Sequence, residues 1–221
     1  MILSDAEKAS LQKRFEQLMK DDITLVVFAD DSAVVSKEVV EFAKTLSSLS
    51  PKIKLQVEKV EDGKNPRMRE FKVEHEPVII LQKGDFTRIH YYGAPSGFET
   101  PPILDAVVEL SNSKTPLSPK SISIVQTIRR KANIKIFVLT TCTFCPIVAR
   151  HAYRASIESP RITAEIIDSQ MFPDLAARHS VMGVPKIILN DNLDITGAIQ
   201  EVEFFEKLKD SDISQIDSIY G

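Results

Sequence analysis

Cysteine is nearly absent: the chain of 221 residues has two, and they stand together in Cys142-Thr143-Phe144-Cys145-Pro146. A secreted framework held by disulfides would space several cysteines along the chain, so this pair reads as a site rather than a scaffold. Charge of one sign is missing too, since 28 basic residues face 31 acidic ones. Without an overall field to hold a phosphate backbone or an anionic bilayer, neither nucleic acid nor membrane is expected as a partner. Long apolar runs are also lacking. The opening Met1-Ile-Leu-Ser-Asp-Ala-Glu-Lys8 puts charges where a secretory leader needs apolar residues, and no later stretch reaches the roughly 18 apolar residues of a membrane span. These absences predict a soluble cytoplasmic protein. Its apolar fraction of 43% can supply the core of one large domain or two small ones.

What is present is an internal repeat. Two segments about a hundred residues apart follow the same order of elements. Each begins with a capped helix: Ser4-Asp-Ala-Glu7 is a capping box before Leu11, Phe15, Leu18 and Met19, and Ser118-Pro119 is an N-cap with proline at the first helical position before Ile122, Val125 and Ile128. Buried strands follow at Ile23 to Phe28 and Ile134 to Leu139. Each leads at once into a helix, carrying Val39, Val40, Phe42, Ala43 and Leu46 or Ile147, Val148 and Ala152. Strands at Ile53 to Val60 and Ile162 to Ile167 come next, then short helices around Met68 to Val73 and Leu175 to His179. Pro77-Val-Ile-Ile-Leu81 matches Pro185-Lys-Ile-Ile-Leu189, and both run through turn residues (Lys83-Gly84; Asn190-Asp-Asn192) into a hairpin partner. Tyr92-Gly93-Ala94 matches Thr196-Gly197-Ala198 before a last helix.

The order α-β-α-β-α-β-β-α, taken twice, predicts an α/β protein of two tandem units. In each, a helical crossover makes one strand pair parallel and a tight turn makes another antiparallel, giving a mixed four-stranded sheet with helices on both faces. The polar, proline-punctuated Ser111 to Ser118 marks the boundary, with units at 1–114 and 115–221.

Cys142 follows a strand and precedes a helix, whose N-terminus offers unpaired N–H groups and a positive dipole end that favour a thiolate. Cys142 is therefore the candidate nucleophile. Cys145, one turn deeper, is the candidate resolving thiol, and Pro146 suits a first helical turn. Zinc would need two further ligands, and His151 and His179 lack metal-site spacing. Elsewhere, His75 is read as an exposed loop residue, and His151, six residues after Cys145, as solvent-facing. Tyr91 and Tyr92 are read as packing residues, and Arg129-Arg-Lys131 as cations at a helix C-terminus.

At Cys142-Thr-Phe-Cys145, Val181-Met-Gly-Val-Pro185, Tyr92-Gly-Ala-Pro-Ser-Gly-Phe-Glu99 and Asp30-Asp-Ser-Ala33 the chain resembles the thioredoxin and glutaredoxin superfamily. The resemblance extends over nearly the whole chain and is strongest to its tandem members, the two-unit protein disulfide oxidoreductases of hyperthermophiles and the N-terminal domain of the alkyl hydroperoxide reductase flavoprotein. It implies a thioredoxin-like fold in both units and a cis Pro185 facing the dithiol. Val184 and Pro185 would then join Thr143 and Phe144 in holding an extended peptide. It implies no cofactor bound to these units. The first copy departs from the pattern, because Ala33-Val34-Val35-Ser36 holds no sulfur and Glu76 precedes Pro77. It reads as a scaffold. The expected activity is reduction of protein disulfides or a peroxiredoxin, with a separate flavoprotein reductase as electron donor. A disulfide oxidase or isomerase and a non-catalytic client-binding module are the alternatives.

Overall fold

The computed structural model describes residues 4–30, 33–61 and 64–211. Asp31 and Ser32, within the Asp30–Ala33 stretch, lie outside the described residues. The first unit contains α1 (Asp5–Leu18), β1 (Ile23–Ala29), α2 (Val34–Ser47), β2 (Ile53–Lys59), α3 (Pro66–Glu70), β3 (Val78–Lys83), β4 (Phe86–Tyr92), a 3-10 turn (Gly97–Glu99) and α4 (Thr100–Asn112). The second contains α5 (Pro119–Thr127), β5 (Ala132–Val138), α6 (Cys145–Glu158), β6 (Ile162–Asp168), α7 (Pro173–Arg178), β7 (Lys186–Leu189), β8 (Leu193–Thr196) and α8 (Glu201–Asp210).

Local signals in the chain set these elements. Ser4 closes the capping box on α1, accepting from the Glu7 backbone while its own N–H donates to the Glu7 carboxylate at 2.8 Å. Ser118 caps α5, with Pro119 at its first position. At the hairpins, Gly84 takes φ +55 in a two-residue turn, and Asn190 and Asp191 take +55 and +53 in a three-residue loop, left-handed values that glycine, asparagine and aspartate tolerate best. The repeat extends to backbone detail. Gly93 N donates to Pro77 O at 3.1 Å and Gly197 N to Pro185 O at 2.8 Å, and both Glu76-Pro77 and Val184-Pro185 are cis.

Within each unit the strands pair as the sequence predicts: β1 with β2 and β5 with β6 parallel, β3 with β4 and β7 with β8 antiparallel. The units do not end there. β4 pairs in parallel with β6, Ile89 opposite Ala164 through Tyr92 opposite Ile167, which fuses the two sheets into one of eight strands in the order β2-β1-β3-β4-β6-β5-β7-β8. The edge strand of one unit is thereby buried against the edge of the next, which removes two open edges from solvent.

The two faces of this sheet are unequal. α1, α2, α4, α5, α6 and α8 pack on one side, around Phe15, Phe42, Ile136, Val148 and Phe204, whereas only the short α3 and α7 cover the other, around Phe28, Phe71, Phe137 and Leu175. Two expectations need correction here. α4 continues through Asn112, so Ser111 belongs to its last turn rather than to a boundary loop; the hydroxyl is buried and both accepts from Asp21 N (2.9 Å) and donates to Asp21 O (2.6 Å). α5 ends at Thr127, so the exposed Arg129-Arg-Lys131 lies beyond the helix and not within its last turn.

Candidate active site

β5 ends at Val138, and the chain turns through residues 139–144 before α6 begins at Cys145 with Pro146 in its first turn. Cys142 is half-buried at the mouth of this turn; Cys145 is wholly buried. The Cys145 N–H donates to Cys142 Sγ at 3.2 Å, so a helix-terminal N–H stabilises negative charge on that sulfur. Cys142 Sγ lies 3.9 Å from the carbonyl oxygen of Val184, next to cis Pro185. Thr143 and Phe144 are exposed beside it. Of the residues named from the sequence, Cys145 and Val184 thus meet the Cys142 sulfur, with Pro185 next to Val184 in the chain.

A rim of exposed apolar side chains stands nearby in the chain: Phe144 (62% exposed), Ile147 (42%) and, two residues before Val184, Met182 (97%). Phe98 (50%) joins them from the first unit, its N–H donating to Thr140 O at 2.8 Å.

One further group was not singled out from the sequence. Glu99, at the end of the 3-10 turn of the first unit, is fully buried, and neither carboxyl oxygen has a hydrogen-bond partner. Burial raises its pKa to about 8, helped by the negative Asp168 and opposed by Arg150. Its charge is felt at Cys145, at Tyr91 and at Tyr153, and both of these tyrosine hydroxyls are buried without a partner. Burial, reinforced by the hydrogen bond to Cys142, pushes the Cys145 thiol far up, so its activation requires a base close at hand. From the sequence Glu99 stands only as the last residue of the motif Tyr92 to Glu99, with no role assigned to it. Its burial arises from the packing of α6 on α4, a contact between units.

The four remaining sequence readings divide. Tyr91 and Tyr92 are buried, as packing residues are. His75 is half-buried rather than exposed, its ring edge-on to Tyr92 at 6.3 Å. His151 is buried, not solvent-facing. Helical spacing does turn it away from the sulfurs, but α8 covers that side, packing Phe204 at a tilt (5.5 Å) and Phe205 edge-on (6.1 Å) against the imidazole, and burial lowers its pKa to about 4. His179 packs on Phe137, across the sheet from His151. In the first unit, the positions aligned with the dithiol hold Ala33 as the N-cap of α2 and Ser36, buried with its hydroxyl unpartnered.

Fold and dithiol together define a thioredoxin-like oxidoreductase built of two fused units. Comparison with known proteins gives the same class. Residues 132–210, all in the second unit, match the family described as "Thioredoxin domain". The NTD_N/C domain of alkylhydroperoxide reductase AhpF from Enterococcus faecalis superposes with a TM-score of 0.85 at 27% identity, covering 94% of this chain and all of that one. A protein disulfide oxidoreductase from Aeropyrum pernix shares the fold, with a TM-score of 0.82 at 22% identity over 95% of this chain and 93% of its own. An NADH dehydrogenase of Bacillus subtilis is 27% identical over 94% of this chain, which spans 38% of that relative's length.

Proposed function

We propose that the chain is a cytoplasmic dithiol reductase of protein disulfides, in which residues 115–221 carry the chemistry and residues 1–114 form a scaffold that completes the site. The observation that carries this reading is the Cys142 sulfur, half-exposed, held by the Cys145 N–H at 3.2 Å and facing Val184 O beside cis Pro185. A client segment would lie in extended form against Val184 and Pro185, over Thr143 and Phe144.

The cycle conserves atoms and electrons. The Cys142 thiolate attacks one sulfur of the client disulfide; an S–S bond forms, and the other client sulfur leaves as a thiolate that takes a proton from solvent. Cys145 then loses its proton to ionised Glu99 and attacks Cys142 Sγ. The second client thiolate leaves and is protonated, so the client gains two electrons and two protons while Cys142 and Cys145 become a disulfide. A flavoprotein reductase returns the two electrons, and a peroxiredoxin is the favoured client. The named relatives, an alkylhydroperoxide reductase and an NADH dehydrogenase, support that direction of flow.

Neither Thr143 nor Phe144 places a cation between the sulfurs, which favours a reducing poise. Equilibration with glutathione is expected to leave the dithiol well below the roughly -120 mV of strongly oxidising relatives. The test of function is reduction of insulin disulfides with dithiothreitol as electron source. Acceleration by the wild type, abolished in Cys142→Ser, is the expected result; equal inertness of both proteins would favour a non-catalytic binding module instead.

A further inference from the structure

At the end of the sheet where β5 and β6 begin lies a cleft of about 440 Å³ that the dithiol chemistry does not use. The seven residues of β5 separate it from the Cys142 turn by roughly 20 Å at about 3.3 Å per residue. Five cations line it: Lys72 and Arg88 from the first unit, Arg130, Lys131 and Arg161 from the second. A single carboxylate, Asp191, is in the lining, and Lys135 already neutralises it at 2.6 Å. The chain as a whole is net acidic at -3, so this concentration of positive charge runs against its composition.

The bland role for these cations is to cover helix C-termini, since α6 ends close by. Only one of them does so: Arg88 Nη2 donates to Ser156 O at 3.2 Å. Its Nε–H is buried without a partner, and burial lowers its hold on its proton. Among the described residues, the side chains of Lys72, Arg130, Lys131 and Arg161 have neither an ion pair nor a hydrogen bond. Four unpaired cations and a buried guanidinium N–H therefore converge on a concave space shared by both units. Asn133 and Thr163 add neutral polar groups to its wall, and the side-chain Oδ1 of Asn133 is buried and unpartnered.

We infer that this cleft is a binding site for a small molecule carrying two or more phosphate groups. Its volume is that of a small-molecule pocket. Guanidinium forks and ammonium groups converging from separate segments suit a compact, multiply charged anion, which would relieve their mutual repulsion. A long polyanion would leave the cleft for a net acidic surface.

Inorganic tripolyphosphate is the probe, titrated calorimetrically into the full chain at fixed ionic strength with orthophosphate and sodium chloride as controls. Tripolyphosphate is expected to bind at least tenfold more tightly than orthophosphate. The exposed double variant Arg130→Ser/Lys131→Ser is expected to weaken that binding tenfold or more while leaving insulin reduction unchanged. Arg88→Met should weaken it as well, with unaltered thermal unfolding in the absence of the probe as the check on folding. No heat beyond the chloride control, or equal affinity in the double variant, would overturn the assignment. Tighter binding of poly-glutamate than of tripolyphosphate would also overturn it, and would make the cleft a surface for an acidic protein.

Discussion

The backbone N–H of Phe98 donates to the carbonyl oxygen of Thr140 at 2.8 Å, and this bond joins the unit without a dithiol to the turn that carries one. Next to it, Gly97 holds φ +54, and a Cβ built there would meet Thr140 O at 2.4 Å. The contact is backbone on backbone, so no side chain can yield. Gly97→Ala is expected to cost at least about 2 kcal/mol in stability, combining left-handed strain with displacement of the Thr140 turn. Urea unfolding measures the loss, and a parallel fall in insulin reduction would show that the displaced turn is the catalytic one.

Glu99 gives a pH signature. If it receives the Cys145 proton, resolution of the mixed disulfide should accelerate as pH rises through about 8, where Glu99 ionises. Glu99→Gln should slow that step roughly 100-fold, the ordinary scale of general-base catalysis, and remove the inflection. Stopped-flow resolution of a preformed mixed disulfide separates this from a packing role, which would shift stability and leave the profile alone.

The same residue has an opposite effect on stability. Its pKa is raised from about 4.5 to about 8 on folding, so its contribution is fully present below pH 4.5 and is lost as pH climbs toward 8. Glu99→Gln removes that loss. The variant is expected to unfold like the wild type near pH 4.5 and to be more stable at pH 8, by on the order of 3 kcal/mol. A difference independent of pH would contradict the buried neutral acid.

Arg154 on α6 clasps Glu109 on α4 through both carboxyl oxygens, at 2.7 to 3.1 Å, with the side chains only 16% and 13% exposed. Removing one partner strands a charge between the units. Arg154→Ala should cost about 3 kcal/mol, whereas Arg154→Met with Glu109→Leu should recover most of it, because a buried pair replaced by apolar groups loses little. Chemical denaturation of the three proteins gives the comparison.

The sequence carried the local parts of this structure and missed the parts made by contact between units. Hairpins at Gly84 and Asn190–Asp191, the caps at Ser4 and Ser118, and the order of strands within each unit all rest on residues adjacent in sequence, whose turn and capping chemistry is readable. The dithiol and its strand–turn–helix setting were readable for the same reason. The β4–β6 pairing was not, because edge pairing between distant strands leaves no periodic mark. Glu99 was hidden likewise, since a glutamate at a helix start is ordinary until α6 buries it. His151 shows the complementary error: helical geometry fixed its direction relative to the sulfurs, but only the position of α8 decided whether that direction met water.

The central claim is that Cys142 attacks and Cys145 resolves. Incubating Cys142→Ser and Cys145→Ser separately with a disulfide-bonded client and reading intact masses under denaturing, non-reducing conditions tests it most directly. A stable one-to-one adduct is predicted with Cys145→Ser, whose only thiol is Cys142, and none with Cys142→Ser. An adduct formed by Cys142→Ser but not by Cys145→Ser would contradict the claim, because the buried sulfur would then be the nucleophile.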